Sequence, residues 1–130
     1  MYKYFQPNKL DLKDEYGDCT IRALSKALNL SWIETFDMCR PYERKYQCPI
    51  SCMPLKIYKE VFISLGFKYQ GISNKRGSQR PTVKSFAETH KVGTYILSVA
   101  NHFVTVVDGI YYDTWDSGNK SLYGYYEKES

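Results

Sequence analysis

Apolar residues between Cys19 and Leu30 fall at helical spacing: Ile21, Leu24 and Leu28, with Ala23, Ala27 and Leu30 beside them. The pattern predicts a helix that begins at Cys19, with Asp18 as its N-cap. Ser31–Glu34, "SWIE", reads as a capping box and opens a second helix through about Cys39, which Pro41 ends. The polar stretch from Arg40 to Pro54 holds Pro41, Pro49 and Pro54 and reads as a loop. A third helix runs from about Leu55 to Leu65 and is closed by Gly66. "FKYQGIS" is a short strand, and a fourth helix spans Thr82 to about His90, between Pro81 and Gly93. Residues 1 to 17 read as extended and turn-like, punctuated by Pro7, Asn8, Asp14 and Gly17.

The last third changes period. Thr94–Ala100, His102–Val107 and Ile110–Trp115 read as strands, and "SLYGYY" as a final one after the turn "DSGN". Asp108-Gly109 is a hairpin signal. Helices first and an antiparallel meander afterwards is an α+β order rather than βαβ, in one domain spanning residues 1–130.

The hairpin also fixes register. A two-residue turn sets Val107 opposite Ile110, hence Val104 opposite Asp113 and His102 opposite Trp115. Side chains alternate faces along a strand, so His102, Val104, Val106, Tyr111, Asp113 and Trp115 share one face. Asp113 is then the diagonal neighbour of His102, about 7–8 Å away between backbones, within side-chain reach. Asp116 would point to the opposite face, so the register selects Asp113 as the carboxylate for His102.

That pair has a chemical use. A carboxylate bonded to one imidazole nitrogen fixes the tautomer and leaves the other nitrogen free to take a proton from a thiol. Cys19 supplies the thiol. At a helix start it feels the positive end of the aligned peptide dipoles, which favours the thiolate. Taken singly, each residue also has a structural reading: a core thiol, a satisfied strand histidine, a turn-capping aspartate.

Composition narrows the classes. With 130 residues and a hydrophobic fraction of 43%, the chain can bury one packed core. Thirteen tyrosines suit strands and half-wet surfaces. The formal charge of +4 is mild, and its densest group, Asn74 to Arg80, reads as a solvated loop. Binding of nucleic acid through Lys75, Arg76 and Arg80 is the weaker alternative and predicts a steep loss with salt. The start "MYKYFQPNKL" has no apolar signal core, and no run reaches the roughly 18 apolar residues of a membrane span. The expectation is therefore a cytoplasmic, reducing location, with Cys19, Cys39, Cys48 and Cys52 as free thiols. Cys48 and Cys52 resemble half a zinc site, but His90 and His102 are not paired at metal spacing, so neither metal nor cofactor is expected.

"GDCTIRALSKAL", followed far downstream by "HFVTVVDGIYYDTWDSG", resembles the papain-like cysteine peptidase superfamily. The branch it looks most like is that of the bacteriocin-processing, double-glycine-leader peptidases and their small stand-alone relatives from phage and bacteria. Asp18-Cys19, then His102-Phe103-Val104, then Asp113 match that family's order. The resemblance implies a papain-like fold, N-terminal helices packed on a C-terminal antiparallel β-meander. It also implies a peptidase that cleaves a peptide or isopeptide bond through Cys19, His102 and Asp113 and a thioester, acting on a peptide or protein substrate. Two positions depart from the pattern. Thr20 stands where the family has Gly, and Lys13 where it has a Gln, about six residues before the Cys, as oxyanion donor. Gln6 and Asn8 are the nearest side-chain amides for that role, beside the backbone N–H of Cys19. The alternative function is a non-catalytic protein-binding module on the same fold, gripping a partner through its tyrosines.

Overall fold

The apolar stripe from Ile21 to Ala27 forms helix α1, Cys19–Leu28, which buries Ile21, Ala23, Leu24 and Ala27. Asn29 takes the left-handed backbone (φ 56°) and stops it. The computed structural model describes residues 1–7, 19–50, 53–72, 80–100 and 102–129. The expected N-cap Asp18, along with Asn8, Lys13, Asp14, Gly17, Cys52, Lys75 and Arg76, lies outside the described residues. Among those described, the order is β1 (Tyr2–Tyr4), α1, α2 (Trp32–Tyr46), α3 (Leu55–Ser64), β2 (Phe67–Gly71), α4 (Val83–Thr89), β3 (Thr94–Val99), β4 (His102–Val107), β5 (Ile110–Asp113) and β6 (Gly124–Lys128). The fold is thus α+β: four helices and a six-stranded mixed sheet among the described residues. No described helix is long and apolar enough to cross a membrane.

The capping box at Ser31 is present, with the Ser31 hydroxyl accepting from Glu34 N–H and the Glu34 carboxylate accepting from Ser31 N–H. The helix it opens does not end at Pro41. It runs on to Tyr46, so residues expected to be loop are helical. Pro41 and Asp37 are both exposed, so the hydrogen bond that Pro41 cannot give to the Asp37 carbonyl is lost on a solvent-facing turn, where its cost is least. Arg44 and Lys45 then sit favourably at the negative end of the helix, and Gln47 closes it with a left-handed φ of 54°.

The sheet order is β1-β5-β4-β3-β6-β2. Strands β3, β4 and β5 form the expected antiparallel meander, with Val107 opposite Ile110 and Thr105 opposite Tyr112. Asp108 and Gly109 carry positive φ (50° and 82°), as a tight two-residue turn demands. The meander stops there. The free edge of β5 is taken by β1, in parallel, with Tyr2 opposite Tyr111. The last strand therefore crosses back and pairs with β3 and β2. β5 ends at Asp113 rather than Trp115, and Ser121 makes only an isolated bridge to Thr82 before β6 begins at Gly124.

The two faces of the sheet carry separate cores. Ile96, Phe103 and Tyr126 pack with α1, α2 and α3, whereas Leu97, Val99, Val104, Val106 and Tyr111 pack with Val83, Phe86 and Ala87 of α4. Helix α4 thus covers the face of the sheet opposite α1, α2 and α3. Phe62 is the joint of the first core. It is fully buried, and its ring lies 4.7 Å from Tyr126, 5.2 Å from Phe103 and 6.0 Å from Tyr58. Phe62→Ala should cost about 3–5 kcal/mol in a urea melt, the usual range for emptying such a site. A loss below about 1 kcal/mol would contradict the packing described here.

Candidate active site

Cys19 is the first residue of α1, His102 the first of β4 and Asp113 the last of β5. The β4–β5 hairpin brings its two open ends together, so His102 and Asp113 meet without any long connection. Helix α1 packs on β4, and the Thr105 hydroxyl donates to the Ala23 carbonyl at 2.7 Å, pinning the helix across the strand. Its first turn is thereby placed over the start of β4, which brings the Cys19 thiol and His102 into one cleft, where each acts on the other's ionisation.

His102 Nε2 donates to Asp113 Oδ2 at 2.6 Å. That bond commits Nε2 and leaves Nδ1 as the nitrogen for the thiol. Asp113 is almost fully buried, and each of its oxygens has two partners. Oδ2 also accepts from the Ser117 hydroxyl at 2.9 Å. Oδ1 accepts from Thr114 N–H at 2.8 Å and from Arg22 Nη2 at 3.4 Å. The Asp113 carbonyl is held by Phe5 N–H at 2.8 Å and Tyr2 OH at 3.2 Å, so β1 fixes its backbone. Asp116 is engaged elsewhere: it accepts from Tyr111 OH at 2.6 Å and from Gly118 N–H at 3.0 Å. The hairpin register thus picks the right carboxylate.

Burial works against charge on both members of the thiol–imidazole pair, and their mutual contact overrides it. Burial tends to lower the His102 pKa, but the hydrogen bonds to Asp113 and Cys19 and their charges push it up from 6.5 to about 9. For Cys19 burial tends to raise the pKa. The hydrogen bond and charge of His102, the Phe103 N–H and the Arg22 charge outweigh it, and the thiol ends below its ordinary value. Cys39 is the internal contrast. Burial and the charge of Glu43 drive its thiol up to about 12. The pair is therefore disposed toward thiolate and imidazolium, the reactive form.

Cys19 and His102 stand in a cleft of about 550 Å³ walled by Met53, Leu55, Tyr58, Val99, Phe103 and Tyr123. Tyr58 shapes that wall. Its hydroxyl donates to the Ile50 carbonyl at 2.6 Å and accepts from Met53 N–H at 3.2 Å, anchoring the chain before α3. Trp115 lies against His102, ring centroids 5.1 Å apart, and is 42% exposed, so one side of the imidazole is covered by a wet aromatic edge. A second, more open groove of about 630 Å³, between the end of α2 and Pro49, contains none of Cys19, His102 and Asp113.

The oxyanion candidates fare differently from those three residues. Gln6 is half-buried two residues beyond β1, and Asn8 is outside the described residues. No side-chain amide is among the described residues that wall the cleft. Thr20, which follows Cys19 and lines the same cleft, has a buried hydroxyl with no hydrogen-bond partner. Cys48 is half-buried beside the open groove, and its expected partner Cys52 is not described. Sequence reasoning missed Arg22 and Ser117. For Arg22 a signal existed, since it stands three residues after Cys19 and so on the same side of α1. For Ser117, in an irregular turn, there was none. No family model, no curated protein and no solved structure matches this chain.

Proposed function

We propose that this protein is a papain-like cysteine hydrolase that cleaves a peptide or isopeptide bond through Cys19, His102 and Asp113. The observation that carries the reading is one imidazole that is held by the buried Asp113 carboxylate through Nε2 and shares a cleft with the Cys19 thiol. The Cys19 thiolate attacks the substrate carbonyl carbon, and the carbonyl electrons move to oxygen. The Cys19 backbone N–H belongs to the first turn of α1, whose N–H groups have no acceptor within the helix, and it is the donor assigned to that oxyanion. When the tetrahedral adduct collapses, imidazolium His102 gives its proton to the departing amine and a thioester remains on Cys19. Water then attacks the thioester, with His102 accepting its proton, and the acid product leaves with the pair restored.

The resemblance in "GDCT" and "HFVTVVDGIYYD" points the same way, and apart from Cys19 and His102 themselves the cleft is walled by uncharged side chains among the described residues. Selective alkylation tests the activated thiol. With iodoacetamide at about pH 6, Cys19 should label at least about tenfold faster than Cys39 and Cys48. Its rate should follow an ionisation below the ordinary thiol value, while Cys39, with its pKa near 12, stays silent. Peptide mapping by mass spectrometry reads each site. Equal labelling of the three would overturn the reading.

A further inference from the structure

We propose that Arg22 is a positioning residue: its guanidinium holds one oxygen of the Asp113 carboxylate and so keeps the other on His102. The inference rests on the hydrolase reading and extends it to a side chain that does not touch the reacting atoms.

Three observations carry it. First, the carboxylate is divided. Oδ1 is given to the scaffold, through Arg22 at 3.4 Å and Thr114 N–H at 2.8 Å, and Oδ2 to His102 and Ser117. A carboxylate turns about its Cβ–Cγ bond, and a cation fixed on Oδ1 opposes the turn that would take Oδ2 away from the imidazole. Second, the contact closes a ring. Arg22 and Cys19 lie three residues apart on α1, so the helix that carries the nucleophile is tied directly to the carboxylate that orients the base. Third, the charges close. The side chains of Arg22 and Asp113 are 5% and 1% exposed. Thiolate, imidazolium, carboxylate and guanidinium sum to zero, whereas the first three alone would leave a net negative charge in a buried place. Among the described residues, the charged and titratable groups around the pair are Cys19 and Arg22 from α1, His102 from β4, Asp113 from β5 and Tyr2 from β1. Tyr2 is bonded to the Asp113 carbonyl, and Asp116 acts on Tyr2 from beyond.

Two arms of one labelling experiment decide the matter. Arg22→Gln should slow iodoacetamide labelling of Cys19 at about pH 6 by about tenfold and move the midpoint of its pH profile upward, the direction expected when a cation is removed. Asp113→Asn and Asp113→Asn/Arg22→Gln form the second arm, in which no buried cation is stripped of an anion by the second change. With the carboxylate gone, the Arg22 substitution should cost less than about twofold. Arg22→Gln that is folded by circular dichroism and labels like the wild type overturns the proposal. So does an Arg22 effect that is as large without the carboxylate as with it. Should Arg22→Gln not fold, the second arm decides alone. Failure of the hydrolase reading looks different, because wild-type Cys19 would then label no faster than Cys39 and Cys48.

Discussion

Cys19→Ala should abolish hydrolysis while leaving the protein folded. Cys19 sits at the first turn of α1, half-buried, lining the cleft beside His102 and packed only against the margin of the first core cluster. Removing one sulfur there costs about 1 kcal/mol or less in stability. Chemistry, by contrast, loses its nucleophile, and a drop of about 10⁴–10⁶ in kcat is the scale found when a member of such a unit is removed. His102→Ala should fall to the same floor. The double variant should be no worse than either single one, because the two side chains act as one device. Product formation from a peptide library, read by mass spectrometry beside a thermal melt, measures both quantities. If Cys19→Ala keeps the protein's effect on its substrate or partner, the molecule works as a binding module and not as a hydrolase.

The parts of this site that were legible in the sequence are those governed by local rules. The amphipathic run from Ile21 to Leu28 fixes where α1 starts, and so puts Cys19 at a helix end. Asp108-Gly109 admits only a tight turn, and alternation then carries the register from Val107 and Ile110 to Asp113. Those two rules choose Asp113 over Asp116 without any knowledge of the tertiary fold. What stayed hidden depends on partners far away in the chain. That β1 would take the edge of β5 depends on Met1 to Tyr4 meeting residues more than a hundred positions later, and nothing in "MYKY" specifies a parallel neighbour. Once that edge is occupied, β6 must return to β3, which the sequence of β6 does not announce either. Pro41 misled for a different reason. A proline costs a helix one hydrogen bond, and here that loss falls on an exposed turn, where its cost is least. Arg22 was passed over, despite its spacing from Cys19, because a charged residue beside an apolar stripe normally faces solvent, whereas here it meets Asp113 on β5.

The carboxylate is where stability and chemistry meet, so Asp113→Ala should damage both. The substitution strips the acceptor from His102, Ser117, Thr114 and Arg22 at one stroke. Arg22, 4% exposed, then loses its contact with the Asp113 carboxylate, and breaking a buried ion pair from one side is strongly destabilising. Asp113→Asn keeps the shape and should be milder for the fold, yet an amide can present its NH₂ to Nε2 and select the wrong tautomer, which costs about 10⁴-fold in turnover in a triad. The pH dependence of stability separates charge from shape. The folded pKa of His102, about 9, lies above its ordinary 6.5. Its contribution is therefore fully present below about pH 6.5 and is lost as the pH rises through about 9. In a Cys19→Ala background, which removes the opposite slope contributed by the lowered thiol, stability should accordingly decline across that window. Added to that background, Asp113→Asn, which removes the anion that raises His102, should flatten the decline. Urea melts at pH values spanning the window measure it, and equal slopes in the two proteins would mean that Asp113 does not hold the imidazole in its charged form.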